Sequence, residues 1–539
     1  MAAATRSAAS PPIGGAKCSE SLSGDPGTGR EVPPPMTHIV HAGCLVGVDA
    51  CPVQVEARIG PGLPTFEIVG LPERGVRESR VRVRSALGAQ GFDMPKRQLV
   101  LNLAPGDVRK TGTAFDLAIA TAILAASGVV DDAALEGTLL LGELALGGAL
   151  RPVRGVLPQL RSARDRGLTR AIVPAGNAAE AALTSGLDVR VAPDLRAVVE
   201  HLGGAAELPR PTPSVASHDA AGPDLADVRG QASVRRAFEI AAAGGHHLLM
   251  IGPPGAGKTM LARRLPTLLP TPDPEEALEI ATVASAAGLR PPGSLEAAPR
   301  PFRAPHHTAS AAAMVGGGEP VRPGEVTLAH RGVLFLDELP EFRRDVIETL
   351  RTTMETGEVA ICRARQRVRM PAGPLVVAAM NPCPCGYAGD PERLCSCSPE
   401  RVDRYIGRVS GPLLDRFDLH VMVPRVPTRD LRSAPRSEAS AAVRARVEKA
   451  RARREGRNAT RPLETLFAET EDAALALLDR TVDALGLSAR GYVKALRVAR
   501  SIADLEGSAR ITSPHVAEAI QYRRLDRRPL RERPLRQVG

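Results

Sequence analysis

Leu248-Leu249-Met250-Ile251-Gly252-Pro253-Pro254-Gly255-Ala256-Gly257-Lys258-Thr259-Met260-Leu261-Ala262 places an apolar run, a glycine-rich turn and a helical start in immediate succession. The turn fits GxxxxGK[ST], a pattern whose chemistry depends on that strand, loop and helix setting. Glycines let backbone amides turn inward on phosphate oxygens, and the following helix N-terminus adds its dipole. Lys258 is then expected to reach the terminal phosphates and Thr259 to coordinate magnesium, so residues 252–259 predict a site for ATP with Mg2+.

Moving outward, a second buried-type run, Val333–Leu336, ends in Asp337-Glu338. An acidic pair at this distance after a phosphate loop reads as a Walker B element, with Asp337 holding magnesium and Glu338 polarising the attacking water. A third run, Leu375–Met380, delivers Asn381 at its end, where a γ-phosphate sensor would sit between the two Walker elements. Further on, Leu413-Leu414-Asp415-Arg416-Phe417-Asp418 precedes a run at 419–423. An Arg exposed there can stabilise transition-state charge in a neighbouring subunit's site. A salt bridge from Arg416 to Asp415 or Asp418 is the plainer alternative.

The pattern implies an α/β protein in several units. Residues 1–35 are rich in Ala, Ser, Gly and Pro and read as a disordered tail, with Met36 an alternative start to Met1. Short β-rich runs (39–48, 53–59, 65–69, 98–103) and an Ala-rich helix at 116–127 predict one α/β domain over 36–203. The stretch 204–224 has linker chemistry, with Pro209, Pro211, Pro213 and Pro223. Strands alternating with helices over 225–427 predict a nucleotide domain on a parallel sheet. Helical periodicity over 428–524 predicts a basic helix and a helical lid, and 525–539 a basic tail.

Charge is localised. The formal net charge is +10, yet residues 436–461 carry eight Arg and one Lys against three Glu, and residues 523–536 carry seven Arg against one Asp and one Glu. Those segments fit either a polyanion such as DNA or a solvated helix face. Arg446, Lys449, Arg453 and Arg457 step by three and four, so one helix could present them as a stripe. Aromatic residues make up only 2%, with no Trp, which disfavours recognition by base stacking. The longest apolar stretch, 117–130, is shorter than the roughly 20 residues a membrane span needs, and no secretory h-region is present, so a cytoplasmic protein with no membrane partner is expected.

Cys383, Cys385, Cys395 and Cys397 form two CxC pairs, while Cys18, Cys44, Cys51 and Cys362 are scattered. Four thiolates can enclose tetrahedral Zn2+, although one intervening residue makes a tight chelate. Free thiols or a redox-sensitive loop are the alternatives. The first pair directly follows Asn381, so ordering of this loop would be felt at the nucleotide. His306 and His307 are adjacent on an extended segment and point apart, which favours loop packing or substrate contact over a shared metal.

With these residues assembled, the chain resembles the ComM/YifB family of magnesium-chelatase-like AAA+ ATPases. The resemblance rests on Gly70-Leu71-Pro72-Glu73, Val76-Arg77-Glu78-Ser79, Asn102-Leu103-Ala104-Pro105, Gly142-Glu143-Leu144-Ala145, Phe302-Arg303-Ala304-Pro305-His306-His307, Pro323-Gly324-Glu325-Val326 and Asn381-Pro382-Cys383-Pro384-Cys385-Gly386. It implies a Lon-protease-like α/β domain, then a P-loop AAA+ domain and a C-terminal helical lid. It makes Asn381 sensor 1, Arg416 the arginine finger and Arg490 the sensor 2 residue, with Arg497 near the same helix face. It also implies ATP-driven branch migration on DNA by a hexameric ring, in recombination or natural transformation. The segments matching Lon's catalytic dyad lack its chemistry, because 110–115 offers Thr but no Ser and 151–160 has no Lys. A magnesium-chelatase motor subunit and a non-motor ATP switch are the rival readings.

Overall fold

The middle of the first two strands buries alternate side chains, Val40, Ala42 and Cys44 and then Val53, Val55 and Ala57, as a half-buried sheet requires. Along β1 (His38–Val46) and β2 (Asp49–Gly60), Val40, Ala42 and Cys44 lie opposite Val55, Val53 and Cys51 in an antiparallel ladder. The run expected at 39–48 ends at Val46, because Gly47, at φ +69°, turns the chain back into β2. This computed structural model describes residues 37–212, 222–289, 295, 298–363, 366–390, 392–427, 437–453 and 456–523. The two expected tails therefore lie outside the described residues.

After β3 (Phe66–Val69) and α1 (Arg74–Ala89) come β4 (Gln98–Ala104), α2 (Asp116–Ala126), β5 (Thr138–Leu140), α3 (Val156–Asp165), β6 (Arg170–Pro174) and β7 (Asp188–Ala192). The sheet runs β3-β4-β2-β1-β5-β6-β7. α2 is apolar all round because it is buried all round, with residues 116–125 inaccessible. The Pro-rich stretch after β7 packs back at its start: Leu208 is buried in this core and Val191 N–H donates to Pro209 O at 2.9 Å.

The second sheet is parallel. α4 (Ala232–Gly244) leads into β8 (Leu248–Ile251), α5 (Lys258–Ala262) and α6 (Pro274–Ala287). β9 (Phe302–Arg303), β10 (Val333–Leu336), α7 (Arg344–Thr356), a hairpin of β11 (Glu358–Arg363) and β12 (Gln366–Pro371), and β13 (Leu375–Met380) follow. Next are α8 (Pro399–Ile406) and β14 (Leu419–Met422). The order is β9-β10-β13-β8-β14, with every pairing parallel. β8, β10 and β13 are buried along their whole length, which is why they read as continuous apolar runs. The two sheets belong to one compact unit. α3 packs on α6, where Gly155 N–H donates to Ser285 O at 3.0 Å and Leu157 N–H to Ser285 Oγ at 3.3 Å. Val48, at the tip of the β1–β2 hairpin, sits in the apolar cluster that contains Val368 and Met370 of β12.

α9 (Ser440–Arg451), α10 (Asp472–Leu485), α11 (Ala489–Glu506) and α12 (Ser513–Gln521) share a core with α4 through Val447, Leu478, Leu496 and Val516. The four-residue basic stripe is not formed. α9 stops at Arg451, whose guanidinium donates to the Ala242 and Ala243 carbonyls at the end of α4. Arg446 is held by Glu239 and Glu438. Arg453 lies past the helix and donates to Gly507 O, and Arg457 packs against Gly245. Among the described residues, no helix is long and apolar enough to cross a membrane.

Candidate nucleotide site

Because β8, β13 and β10 are neighbours in the sheet, their C-terminal ends bring Gly252, Asn381 and Asp337 together. Lys258 is only 9% exposed. Its ammonium donates to Gly252 O at 2.7 Å, Pro253 O at 3.0 Å and Asn381 Oδ1 at 3.0 Å. Burial pulls its pKa down, and the carboxylates of Asp337 and Glu338 partly oppose this. Thr259 Oγ1 donates to Asp337 Oδ2 at 2.7 Å. Adjacent oxygens around an octahedral magnesium stand about 3 Å apart, so this pair has the spacing to face one such ion.

Glu338 occupies the left-handed region at φ +53°. A non-glycine residue held there costs of order 1–3 kcal/mol and such positions cluster at functional sites. Its backbone N–H donates to Asp337 Oδ1 at 3.0 Å, and its Oε2 lies 3.1 Å from His307 Nδ1. Phe342 packs edge-on against the His307 ring. Beside Glu338 and Asn381 opens a cleft of about 490 Å³ lined by Arg401, Arg404, Tyr405 and Arg408. The sequence reading left His307 as loop packing or substrate contact and did not single out Arg401 or Arg404. The histidines follow β9, and their rings do not point apart as an extended segment would have them: the centroids lie 4.1 Å from each other.

The four clustered cysteines converge. Cys383 Sγ lies 3.3 Å from Cys385 Sγ and 3.6 Å from Cys395 Sγ, Cys385 and Cys395 are 3.5 Å apart, and all four sulfurs, Cys397 included, fall within 4.8 Å of one another. Tetrahedral zinc with bonds of about 2.3 Å needs sulfurs about 3.8 Å apart, so the set fits that ion. The knuckle touches the phosphate loop: a Cβ on Gly386 would stand 2.5 Å from Pro254 Cδ, so only glycine allows the approach.

Arg416 and Arg490 lie elsewhere. Arg416 lines a cleft of about 580 Å³ with Glu355, Asp418, Lys494 and Arg497, to which no residue of 252–259, Asp337 or Glu338 contributes. It is ion-paired with Glu355, and not with Asp415 or Asp418, while its Nε is buried without a hydrogen-bond partner. Burial, then Arg490 and Arg351, push its guanidinium below the usual range. Arg490 sits 3.7 Å from Asp415 Oδ2, and Arg497 donates to Arg461 O at 3.1 Å. Asp418 holds Lys494 at 2.8 Å; burial would raise its pKa, but Lys494, His246 and His247 outweigh burial and keep it below the usual carboxylate range.

A parallel sheet in which the asparagine-tipped strand lies between a phosphate-loop strand and an acidic-tipped strand defines a P-loop protein of the AAA+ type. Three family models match in series: "Subunit ChlI of Mg-chelatase" over 55–177, "Magnesium chelatase, subunit ChlI" over 224–431 and "Magnesium chelatase, subunit ChlI C-terminal" over 437–523. The chain is 45% identical over 497 residues to the uncharacterized protein YifB of Escherichia coli (strain K12), covering 91% of this chain and 97% of that protein. It is 44% identical over 502 residues to the competence protein ComM of Haemophilus influenzae, covering 91% and 98%. The magnesium-chelatase 38 kDa subunit of Acidiphilium rubrum is 28% identical over 232 residues, covering 41% of this chain and 60% of that subunit. The chain belongs to the ComM/YifB family of magnesium-chelatase-like AAA+ proteins.

Proposed function

We propose that this protein is an ATP-hydrolysing motor that acts on DNA as a homo-oligomer, a hexameric ring driving branch migration in recombination or natural transformation. The observation that supports it most is the linked pair of contacts, Lys258 to Asn381 and Thr259 to Asp337, at adjacent strand ends. In this reading, residues 252–259 cradle the phosphates, Lys258 grips the terminal ones and Asn381 senses the γ-phosphate. Thr259 and Asp337 would hold magnesium, which neutralises phosphate charge when bound. Glu338 orients and polarises water, with His307 positioning its carboxylate. Arg416 and Arg490 act on the nucleotide of a neighbouring copy, which agrees with their separation from the cradle of their own chain.

The DNA part rests on the likeness to a competence protein and on the basic excess, and binding through phosphates should weaken steeply with salt. The experiment is a synthetic four-way junction incubated with ATP and either wild type or Glu338→Gln. Resolution into duplex products by wild type alone is expected. Robust DNA-independent hydrolysis without junction resolution would favour a chelatase motor subunit or a non-motor switch instead. The chelatase reading draws on the family descriptions, yet the chelatase subunit matches under half of this chain, whereas YifB and ComM match nine-tenths. Cytoplasmic residence fits both.

The thiolate knuckle is assigned to Zn2+, held by Cys383, Cys385, Cys395 and Cys397, as a structural ion bracing the phosphate loop through Gly386 and Pro254. Elemental analysis after metal-replete expression should give one zinc per chain; none would leave free thiols.

A further inference from the structure

Cys44 and Cys51, outside the knuckle and seven residues apart in the sequence, are direct cross-strand partners on β1 and β2. Directly opposed residues have Cα atoms about 4.5–5.5 Å apart, within the span a disulfide bridges. Both are free thiols, Cys44 buried and Cys51 half-buried. Cys51 lines a half-open cleft of about 410 Å³ together with His41, Gln159, Ser162 and Arg166. Gln159 is 2% exposed and its Oε1 has no hydrogen-bond partner, which leaves a buried acceptor at this cleft.

Lys110 completes the cluster. It is fully buried, its ammonium donates to the neutral Pro105 carbonyl, and no carboxylate among the described residues forms an ion pair with it. Burial lowers its pKa, while Cys44, Cys51 and Asp107 act to raise it. A buried ammonium of this kind favours an anion nearby, and a cysteine thiolate can supply it beside the carboxylate of Asp107. The groups facing Cys51 are Cys44, Lys110, Arg166, Asp107 and, across the cleft, His41. The hydrogen bond with Cys44 pulls Cys51 down to about 6, with Arg166 and Lys110 assisting against burial and Asp107. The same bond and burial push Cys44 up.

We propose that Cys51 and Cys44 are the attacking and resolving thiols of a covalent exchange site for low-molecular-weight disulfides that enter this cleft. The Cys51 thiolate attacks one sulfur of the small disulfide, a new S–S bond forms, the old one breaks and a small thiolate departs. Cys44 gives its proton to that thiolate and attacks the Cys51 sulfur, expelling the second small thiolate, which takes the proton Cys51 had lost. The protein loses two electrons and two protons, and the small disulfide gains them as two thiols. The bridge would tie the two strands together three pairs from the turn, close to the hairpin tip where Val48 lies in the apolar cluster of the motor.

The test uses the full chain and glutathione disulfide, followed by thiol blocking, trypsin and mass spectrometry. Residues 31–58 have no internal Lys or Arg, so one tryptic peptide carries both cysteines. In wild type it should lose two hydrogens. Cys44→Ser should trap glutathione on Cys51 at least tenfold faster than on the exposed Cys362, with a half-maximal rate at a pH still below the ~8.5 of a free cysteine because Arg166 and Lys110 remain. Lys110→Gln should move that midpoint upward. Exchange at Cys51 no faster than at Cys362 would overturn the proposal, and so would a wild-type peptide that stops at the mixed disulfide. The wild-type arm needs no substitution, so loss of two hydrogens against arrest at the mixed disulfide decides the matter even where Cys44→Ser folds poorly.

Discussion

On the cradle side of the parallel sheet, Lys258 and Asn381 are joined at 3.0 Å and Thr259 and Asp337 at 2.7 Å, all within one chain. On the opposite side Arg416 and Arg490 turn to Glu355 and Asp415, and neither reaches the cradle. One side is assembled in advance; the other holds its cations in local ion pairs, with Arg416 Nε buried and unpartnered. Under the proposed function, a cradle that grips phosphate while Arg416 stays in its own ion pair is suited to completion by another copy.

The largest effect expected on this contrast falls on the cradle. Glu338→Gln should retain ATP binding and lose hydrolysis by about 10³-fold, while Lys258→Ala should lose binding, since grip and water activation are separate tasks. Near-normal turnover by Glu338→Gln would remove its assignment. On the finger side the first effect is on stability. Asp418→Asn leaves the Lys494 ammonium, 12% exposed, without its counter-charge, and should cost about 3 to 5 kcal/mol in urea denaturation. Because folding depresses the Asp418 pKa, this contribution is full above the unfolded value of about 4 and fades as pH falls below it. A loss under ~1 kcal/mol would show the pair to be dispensable.

A smaller change separates positioning from grip. His307→Ala should lower the turnover rate about tenfold with nucleotide affinity kept, on the scale at which a single misplaced group costs rate, and His307→Gln should recover part of it. An unchanged rate would make the His307–Glu338 contact incidental. The smallest effect concerns DNA. Since Arg446 is already neutralised by Glu239 and Glu438, Arg446→Ala should leave the salt slope of DNA binding unchanged, whereas a lost phosphate contact would reduce it by about 0.9.

The parts of the site legible in sequence are those written in one continuous segment. The run from Leu248 through Thr259 and the run ending in Asp337 and Glu338 each carry their own strand and turn, and parallel order follows from their apolar character. His307 is different: its partner lies 31 residues on, and only the path of the chain between β9 and β10 brings them together. The basic stripe failed for a related reason. Three-and-four spacing was counted past Arg451, where contacts to α4, invisible in sequence, end the helix. Arg490 and Arg497 share α11, so spacing alone left both open, and their partners on β14's approach and at Arg461 separate them. Cys44 and Cys51 looked scattered until the two-residue turn at 47–48 fixed their register.

The most direct measurement mixes subunits that each lack one side. Arg416→Ala protein and Lys258→Ala protein should both be inactive alone, and ATP hydrolysis should return when the two are combined. Each mixed interface can then pair an intact cradle with an intact Arg416 from the neighbour. No recovery at any ratio, with mixed assemblies verified by tagged co-purification, would contradict a site completed by a second copy.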